Sequence, residues 1–172
     1  MKIETSTPKN ISEIFQLYGL ATEYQKRIFP ENTWPTFERE LVETEIQEQR
    51  QFKMVIDGHV ACVWAITFTD PQIWEERNSD PSIYIHRIAT NPSFRGQRFV
   101  ETIVEWARGY AKSHQKKFIR MDTCGDNQKL IKHYTNCGFD FLGMVRLKNA
   151  DELPSHYQDA DVCLFQINVE EL

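Results

Sequence analysis

The stretch Ile83-Tyr84-Ile85-His86-Arg87-Ile88-Ala89-Thr90-Asn91-Pro92-Ser93-Phe94-Arg95-Gly96-Gln97-Arg98-Phe99-Val100 changes character part-way along. Residues 82–89 are rich in isoleucine, with a tyrosine and a histidine between, and read as a strand. Asn91-Pro92-Ser93 breaks it, because proline brings no N–H to a ladder. From there Val100, Ile103, Val104, Ala107 and Ala111 fall on one face of a helix. A strand that feeds a helix through a glycine-bearing turn leaves backbone N–H groups unpaired at the positive end of the helix dipole. Such a turn suits an anion such as pyrophosphate. Arg95 and Arg98 add positive charge there, although solvated surface arginines explain the same residues.

Downstream, residues 118–122 read as a short strand and 127–137 as a helix with Leu130, Ile131 and Tyr134 inward. Gly138 is the residue type that closes a helix in the left-handed conformation. Residues 139–147 and 161–168 are two further strands around an acidic loop. Upstream, Lys2–Thr5 is a short strand. Asn10 followed by Glu13 resembles a capping box for a helix carrying Ile11, Ile14, Phe15 and Tyr18. After a loop at 29–33, Pro35 suits a first helical turn, so a second helix is expected from about Trp34 to Gln49. Residues 52–56 and 59–69 form a hairpin around Asp57-Gly58, a pair that favours the type I′ turn. Residues 70–81 are a polar break. The order β-α-α-β-β-β-α-β-α-β-β predicts one mixed sheet with helices on its faces, an α/β or α+β sandwich. With no repeat or linker, a single domain over 1–172 is expected.

Composition narrows the function classes. The net charge of −5 speaks against a nucleic-acid binder, which needs a basic stripe. No apolar run approaches a membrane span, and Met1-Lys2-Ile3-Glu4-Thr5 does not resemble an export signal, so a cytoplasmic location and no membrane partner are expected. Cys62, Cys124, Cys137 and Cys163 lack paired spacing; they read as inert thiols, Cys124 being the candidate for reactivity. The histidines His59, His86, His114, His133 and His156 form no i, i+4 pair, so no metal site is expected. Neither a P-loop lysine nor dinucleotide glycines are present, which sets nucleotide enzymes aside.

Asn127 and Tyr134 lie two helical turns apart and face the same way. Tyr134 puts a phenol on an apolar stripe, either as a core tyrosine tied to a carbonyl or as a functional group. Here the chain resembles a known family. Asn91-Pro92-x-Phe94-Arg95-Gly96 after Arg87-Ile88-Ala89-Thr90 is similar to the CoA-binding motif of the GNAT superfamily of N-acetyltransferases. Asn127-x-x-Leu130-x-x-x-Tyr134-x-x-x-Gly138-Phe139 is similar to its second signature. The family turn, Arg/Gln-x-x-Gly-x-Gly/Ala, maps onto Arg95-Gly96-Gln97-Arg98-Phe99-Val100. Arg98 and Val100 stand where small residues are usual, which bears on how closely the backbone approaches phosphate.

The resemblance implies a mostly antiparallel central sheet and acetyl-CoA as co-substrate. It implies binding by Ile88, Ala89, Thr90, Arg95, Gly96, Gln97, Arg98, Phe99, Val100, Asn127 and Tyr134. Tyr134 would be the acid that protonates the departing thiolate. The acceptor would be a primary amine of a small molecule or peptide, attacking directly; homodimers are common in the family. His86 is the first candidate for the base, with Tyr84 relaying protons and Glu75 and Glu76 as alternatives. Specificity would come from residues 30–35, 70–81 and 148–160. There Trp34 and Trp74 with Glu31, Glu75, Glu76, Asp151 and Glu152 either suit a cationic amine or are plain solvated loop residues. The altered turn leaves open a non-catalytic CoA sensor.

Overall fold

The computed structural model of the protein describes residues 1–148 and 150–170. Seven strands and five α-helices are present among them: β1 (Lys2–Thr5), α1 (Ile11–Ile28), α2 (Arg39–Gln47), β2 (Gln51–Ile56), β3 (His59–Thr67), α3 (Pro71–Trp74), β4 (Ser82–Thr90), α4 (Phe99–Ser113), β5 (Phe118–Cys124), α5 (Gln128–Asn136), β6 (Asp140–Arg146) and β7 (Asp161–Asn168). The sheet order is β1-β2-β3-β4-β5-β7-β6. The pairs β1/β2, β2/β3, β5/β7 and β6/β7 are antiparallel and β4/β5 is parallel. This is the mixed, mostly antiparallel α/β sheet expected. No helix among the described residues is long and apolar enough to cross a membrane.

The chain gathers into two compact units, one of residues 1–66 with 86–99, the other of 67–85 with Val100 onward. In the first, α1 buries Ile11, Ile14, Leu17 and Tyr18 with Val42 and Ile46 of α2, Phe37, and Val60 and Val63 of β3. Each fully buried aliphatic side chain here contributes about 1.5–3 kcal/mol. The β2–β3 turn has the conformation its sequence predicts, with φ of 49° at Asp57 and 82° at Gly58.

Two expectations in this unit need correction. The Asn10 side chain does not cap α1; its Oδ1 accepts from the Thr7 N–H at 2.9 Å, one turn earlier. The second helix begins at Arg39, five residues after Trp34. Trp34 precedes a proline, which disfavours the helical region. Instead it gives its N–H to Gln25 Oε1 at 2.8 Å and packs its ring on Tyr18 and Phe37.

In the second unit, Ile103, Ala107 and Ala111 are the fully buried face of α4. Trp74, Tyr84, Tyr157, Val162 and Leu164 form a further apolar cluster with Ile73. Helix α5 opens with Asn127 Oδ1 accepting from the Leu130 N–H at 3.1 Å. It closes in a Schellman motif: the Phe139 N–H donates to Tyr134 C=O at 3.2 Å and Gly138 N–H to Thr135 C=O at 3.1 Å. Gly138 takes φ of 97°, and the Phe139 ring meets Tyr134 edge-on at 6.2 Å. The Tyr-x-x-x-Gly-Phe spacing therefore has a local cause, the capping of the helix that carries Tyr134.

Candidate active site

Strand β4 ends because Asn91 and Pro92 end it. Asn91 is fastened to β3, its N–H donating to Ala61 C=O at 2.8 Å and Nδ2 to Val60 C=O at 3.1 Å. Its Oδ1 accepts from the Ser93 N–H at 3.1 Å, starting a 3-10 turn over Pro92–Phe94. The chain then passes through Arg95, Gly96, Gln97 and Arg98, all exposed, to Phe99, the buried first residue of α4. Gly96 has φ of 84° and Arg98 φ of 53°. Position 98 is thus left-handed, a conformation glycine adopts without strain and arginine does not. The departure from the family pattern is one of side chain: the backbone keeps a glycine-like shape. An added Cβ at Gly96 would have nothing within 4 Å, so its face of the turn is open. The Arg95 guanidinium lies 4.2 Å from the Tyr24 ring centroid of α1. Residues 95–98 are exposed and lead directly into the first turn of α4, where helical N–H groups lack intrahelical partners; with Arg95 and Arg98 in the same turn, this is a set of groups chemically suited to a polyphosphate.

Just before this turn, the parallel ladder of β4 with β5 covers three pairs, Ser82↔Phe118 to Tyr84↔Arg120. Past them, half-buried His86 leads to Arg87, whose φ of 52° is left-handed in mid-strand. Ile88 and Thr90 are half-buried and Ala89 is buried; Thr90 Oγ1 lies 3.7 Å from Cys62 Sγ. Arg87 turns inward. It pairs with Glu45 of α2, gives Nε–H to Tyr18 Oη at 3.3 Å, and lies 5.3 Å from the Phe37 ring centroid. Burial and the Arg87 contacts pull the Tyr18 phenol in opposite directions; burial prevails and raises it.

In the second unit Tyr134 is buried, with Phe165 at 5.3 Å and Phe139 edge-on. Val100 is the second residue of α4, and Asn127 caps α5. Here too are charged groups that the sequence reading passed over. Arg120 of β5 is 1% exposed and gives hydrogen bonds to Asp80 Oδ2 (2.6 Å), the Arg77 carbonyl (2.5 Å), Tyr84 Oη (3.3 Å) and Gln166 Oε1 (2.9 Å). Asp122 accepts from Tyr157 Oη at 2.7 Å and has a carboxylate oxygen within 4.8 Å of one from Asp70. Burial, then the neighbouring Asp122 charge, push Asp70 up to about 8. Burial pushes Asp122 up to about 6, opposed by the Tyr157 hydrogen bond. The available signal was the alternation Arg120, Asp122 on a strand flanked by Ile119 and Met121: two charges on one face of a buried strand need partners.

Other expectations change with these contacts. Tyr84 is buried, and its hydroxyl accepts from Arg120. Trp74 is 2% exposed and offers no face to an incoming amine; the cation over its ring, at 4.8 Å, is Arg120. Glu75 is exposed and reaches Lys148 at 3.6 Å, and Glu152 accepts from Gln72 Nε2 at 2.8 Å. Asn149 in that acidic loop lies outside the described residues. Burial pushes the Cys62 and Cys124 thiols up to about 12, the Asp122 charge adding to the effect at Cys124. Cys124 is therefore held as the protonated thiol at neutral pH, the less reactive form.

The chain is similar to known acetyltransferases. An uncharacterized N-acetyltransferase of Bacillus subtilis, YesJ, is 31% identical over 74 residues, 43% of this chain and 41% of that protein, so the match spans less than half of the relative. A GNAT-family acetyltransferase from Listeria monocytogenes superposes with a TM-score of 0.77 at 20% identity, over 97% of this chain and 94% of its own. The acetyltransferase yncA of Salmonella typhimurium, solved with acetyl-CoA, gives 0.69 at 11% identity, over 99% and 95%. At these identities the structural likeness speaks for the fold. The profile of the acetyltransferase (GNAT) family aligns with residues 14–139, the greater part of the sequence, and the chain belongs to that family.

Proposed function

We propose that the whole chain acts as one N-acyltransferase domain, moving an acetyl group from acetyl-CoA to a primary amine of a small molecule or peptide. Acetyl-CoA is the co-substrate of the family. The observation that carries the reading is the 95–100 turn, with left-handed Gly96 and Arg98 running into α4 between two arginines. Helix-start N–H groups and two arginines suit a pyrophosphate, and the glycine-like backbone at Arg98 supports the reading.

When bound, acetyl-CoA supplies the activated acetyl thioester. The N–H groups of Ile88 and Thr90 would hold the pantetheine arm, and one of them would polarise the thioester carbonyl. An alkylamine with pKa near 10 arrives mostly protonated, so a base must take a proton before nitrogen can attack. The N–C bond would form and the C–S bond break, with Tyr134 giving its phenolic proton to the leaving sulfur and the surplus proton on nitrogen restoring the phenol, directly or through the base. His86 is the first candidate for the base. Asp70 and Asp122 are a second, supported by carboxyl groups shifted to about 8 and about 6, on either side of neutrality.

Calorimetric titration of acetyl-CoA into the protein and into Arg95→Ala and Gly96→Trp variants tests the reading. Micromolar binding lost in both variants is expected, with amine-dependent release of free thiol. Binding without turnover on any amine would turn the reading into that of a CoA sensor, and no binding at millimolar CoA would end it.

A further inference from the structure

Strand β4 contains a backbone feature that its own sequence does not call for. Arg87, a non-glycine residue in mid-strand, has φ of 52°. A strained residue persists where its surroundings over-determine it, and such residues gather at functional sites. Three elements hold this one. Glu45 of α2 pairs with the guanidinium through Oε1, and Tyr18 of α1 accepts from Nε at 3.3 Å. Tyr18 Oη in turn donates to Gln51 Oε1 of β2 at 3.5 Å. The Phe37 and Tyr18 rings lie 5.3 and 6.0 Å from the guanidinium carbon. Glu45 is 4% exposed, and its Oε2 is buried with no hydrogen-bond partner.

As a source of stability alone this arrangement is a poor one. Buried ion pairs are commonly replaced by apolar side chains at no loss, and one orphaned carboxylate oxygen adds a further cost. Its consequence is geometric. An extended Arg87 would restore the period-2 alternation of β4 and turn Ile88, Ala89 and Thr90 to the opposite faces, redirecting their N–H groups.

We infer that Glu45 is a positioning residue for the acyl donor: its pairing with Arg87 holds the left-handed kink in β4 and so aims the Ile88 and Thr90 N–H groups at the pantetheine arm. The inference rests on the proposed acetyl-CoA site. Helix α2, which carries Glu45, thereby sets the geometry of a strand edge that it does not itself form.

The test combines acetyl-CoA titration with amide NMR of residues 86–90 in four proteins: wild type, Glu45→Gln, and the pairs Arg87→Gly/Glu45→Gln and Arg87→Ala/Glu45→Gln. Glu45→Gln should weaken binding roughly tenfold and shift the amide resonances, the scale set by one left-handed residue without its support. The glycine pair, free to keep the kink unaided, should recover to within about threefold of wild type, and the alanine pair should not. The two double variants lack the ion pair equally and differ in the φ they tolerate, so affinity and amide positions compared below the unfolding transition of both report the backbone, and they decide the matter even where Glu45→Gln alone fails to fold. Equal affinity and equal amide positions in the two double variants would overturn the inference. Wild type that bound no acetyl-CoA would refute the donor site, and the amide positions alone would then judge whether Glu45 sets the kink.

Discussion

Asp80 looks like a surface residue, yet its loss should be felt as a core mutation. Its side chain is 42% exposed, whereas its partner Arg120 is 1% exposed. Removing Asp80 leaves a buried guanidinium whose remaining partners, the Arg77 carbonyl, Tyr84 Oη and Gln166 Oε1, are all neutral. Breaking a fully buried pair costs about 3–5 kcal/mol, and water reaching the carboxylate end discounts that to about 2–3. An ordinary surface substitution stays within about 0.5 kcal/mol. Urea unfolding at neutral pH measures the difference as a fall in midpoint at constant m-value, with Tm lower by about 5–10 °C. Arg120→Met keeps the stem packed near Trp74 and Phe118 while removing the charge, so in that background Asp80→Ala should cost no more than about 0.5 kcal/mol. An Asp80→Ala protein within about 0.5 kcal/mol of wild type, or one equally destabilised with and without Arg120, would refute the reasoning.

Tyr134→Phe should lower kcat about 100-fold or more and leave acetyl-CoA affinity within about twofold, read by steady-state kinetics beside calorimetry. Asp70 binds its proton more tightly when folded, about 8 against 3.8 unfolded, so the native state holds the extra proton between those values and stability falls as pH rises through them. Asp70→Asn should therefore gain stability over wild type at pH 8 and little at pH 4. Denaturant titrations across pH check this, and a wild-type slope that the substitution leaves unchanged would contradict it. Gly138→Ala meets no neighbour within 4 Å but must adopt φ of 97°, so it should cost about 1–2 kcal/mol in thermal unfolding through backbone strain alone.

Local signals carried most of the fold. Asp57-Gly58, the apolar stripe of α4, and the Asn127 and Gly138 caps act within a few residues of themselves, and each forms the element its spacing predicts. The start of α2 was misread because Pro35 suits both a helix start and the extended segment before one. Contacts of Trp34 with α1, distant in sequence, decide between them. At the candidate site, the turn and Tyr134 stand out in the sequence through the motifs they share with the family. The kink at Arg87 and the charges at Glu45, Arg120, Asp70 and Asp122 were not: a charged residue in a sequence reads as solvated until the fold brings it a partner. Trp74 shows the same effect from the other side, since its cation–π partner lies 46 residues away at Arg120.

The state of the cysteines has a practical consequence at the bench. Cys137 and Cys163 are buried, and burial pushes the Cys62 and Cys124 thiols up to about 12. Burial keeps such thiols protonated and out of reach at pH 8, so chromogenic disulfide reagents find little in the folded protein to react with. If the chain transfers acetyl groups as proposed, colour appearing with an added amine would count the coenzyme set free, even at protein concentrations high enough to survey poor acceptors.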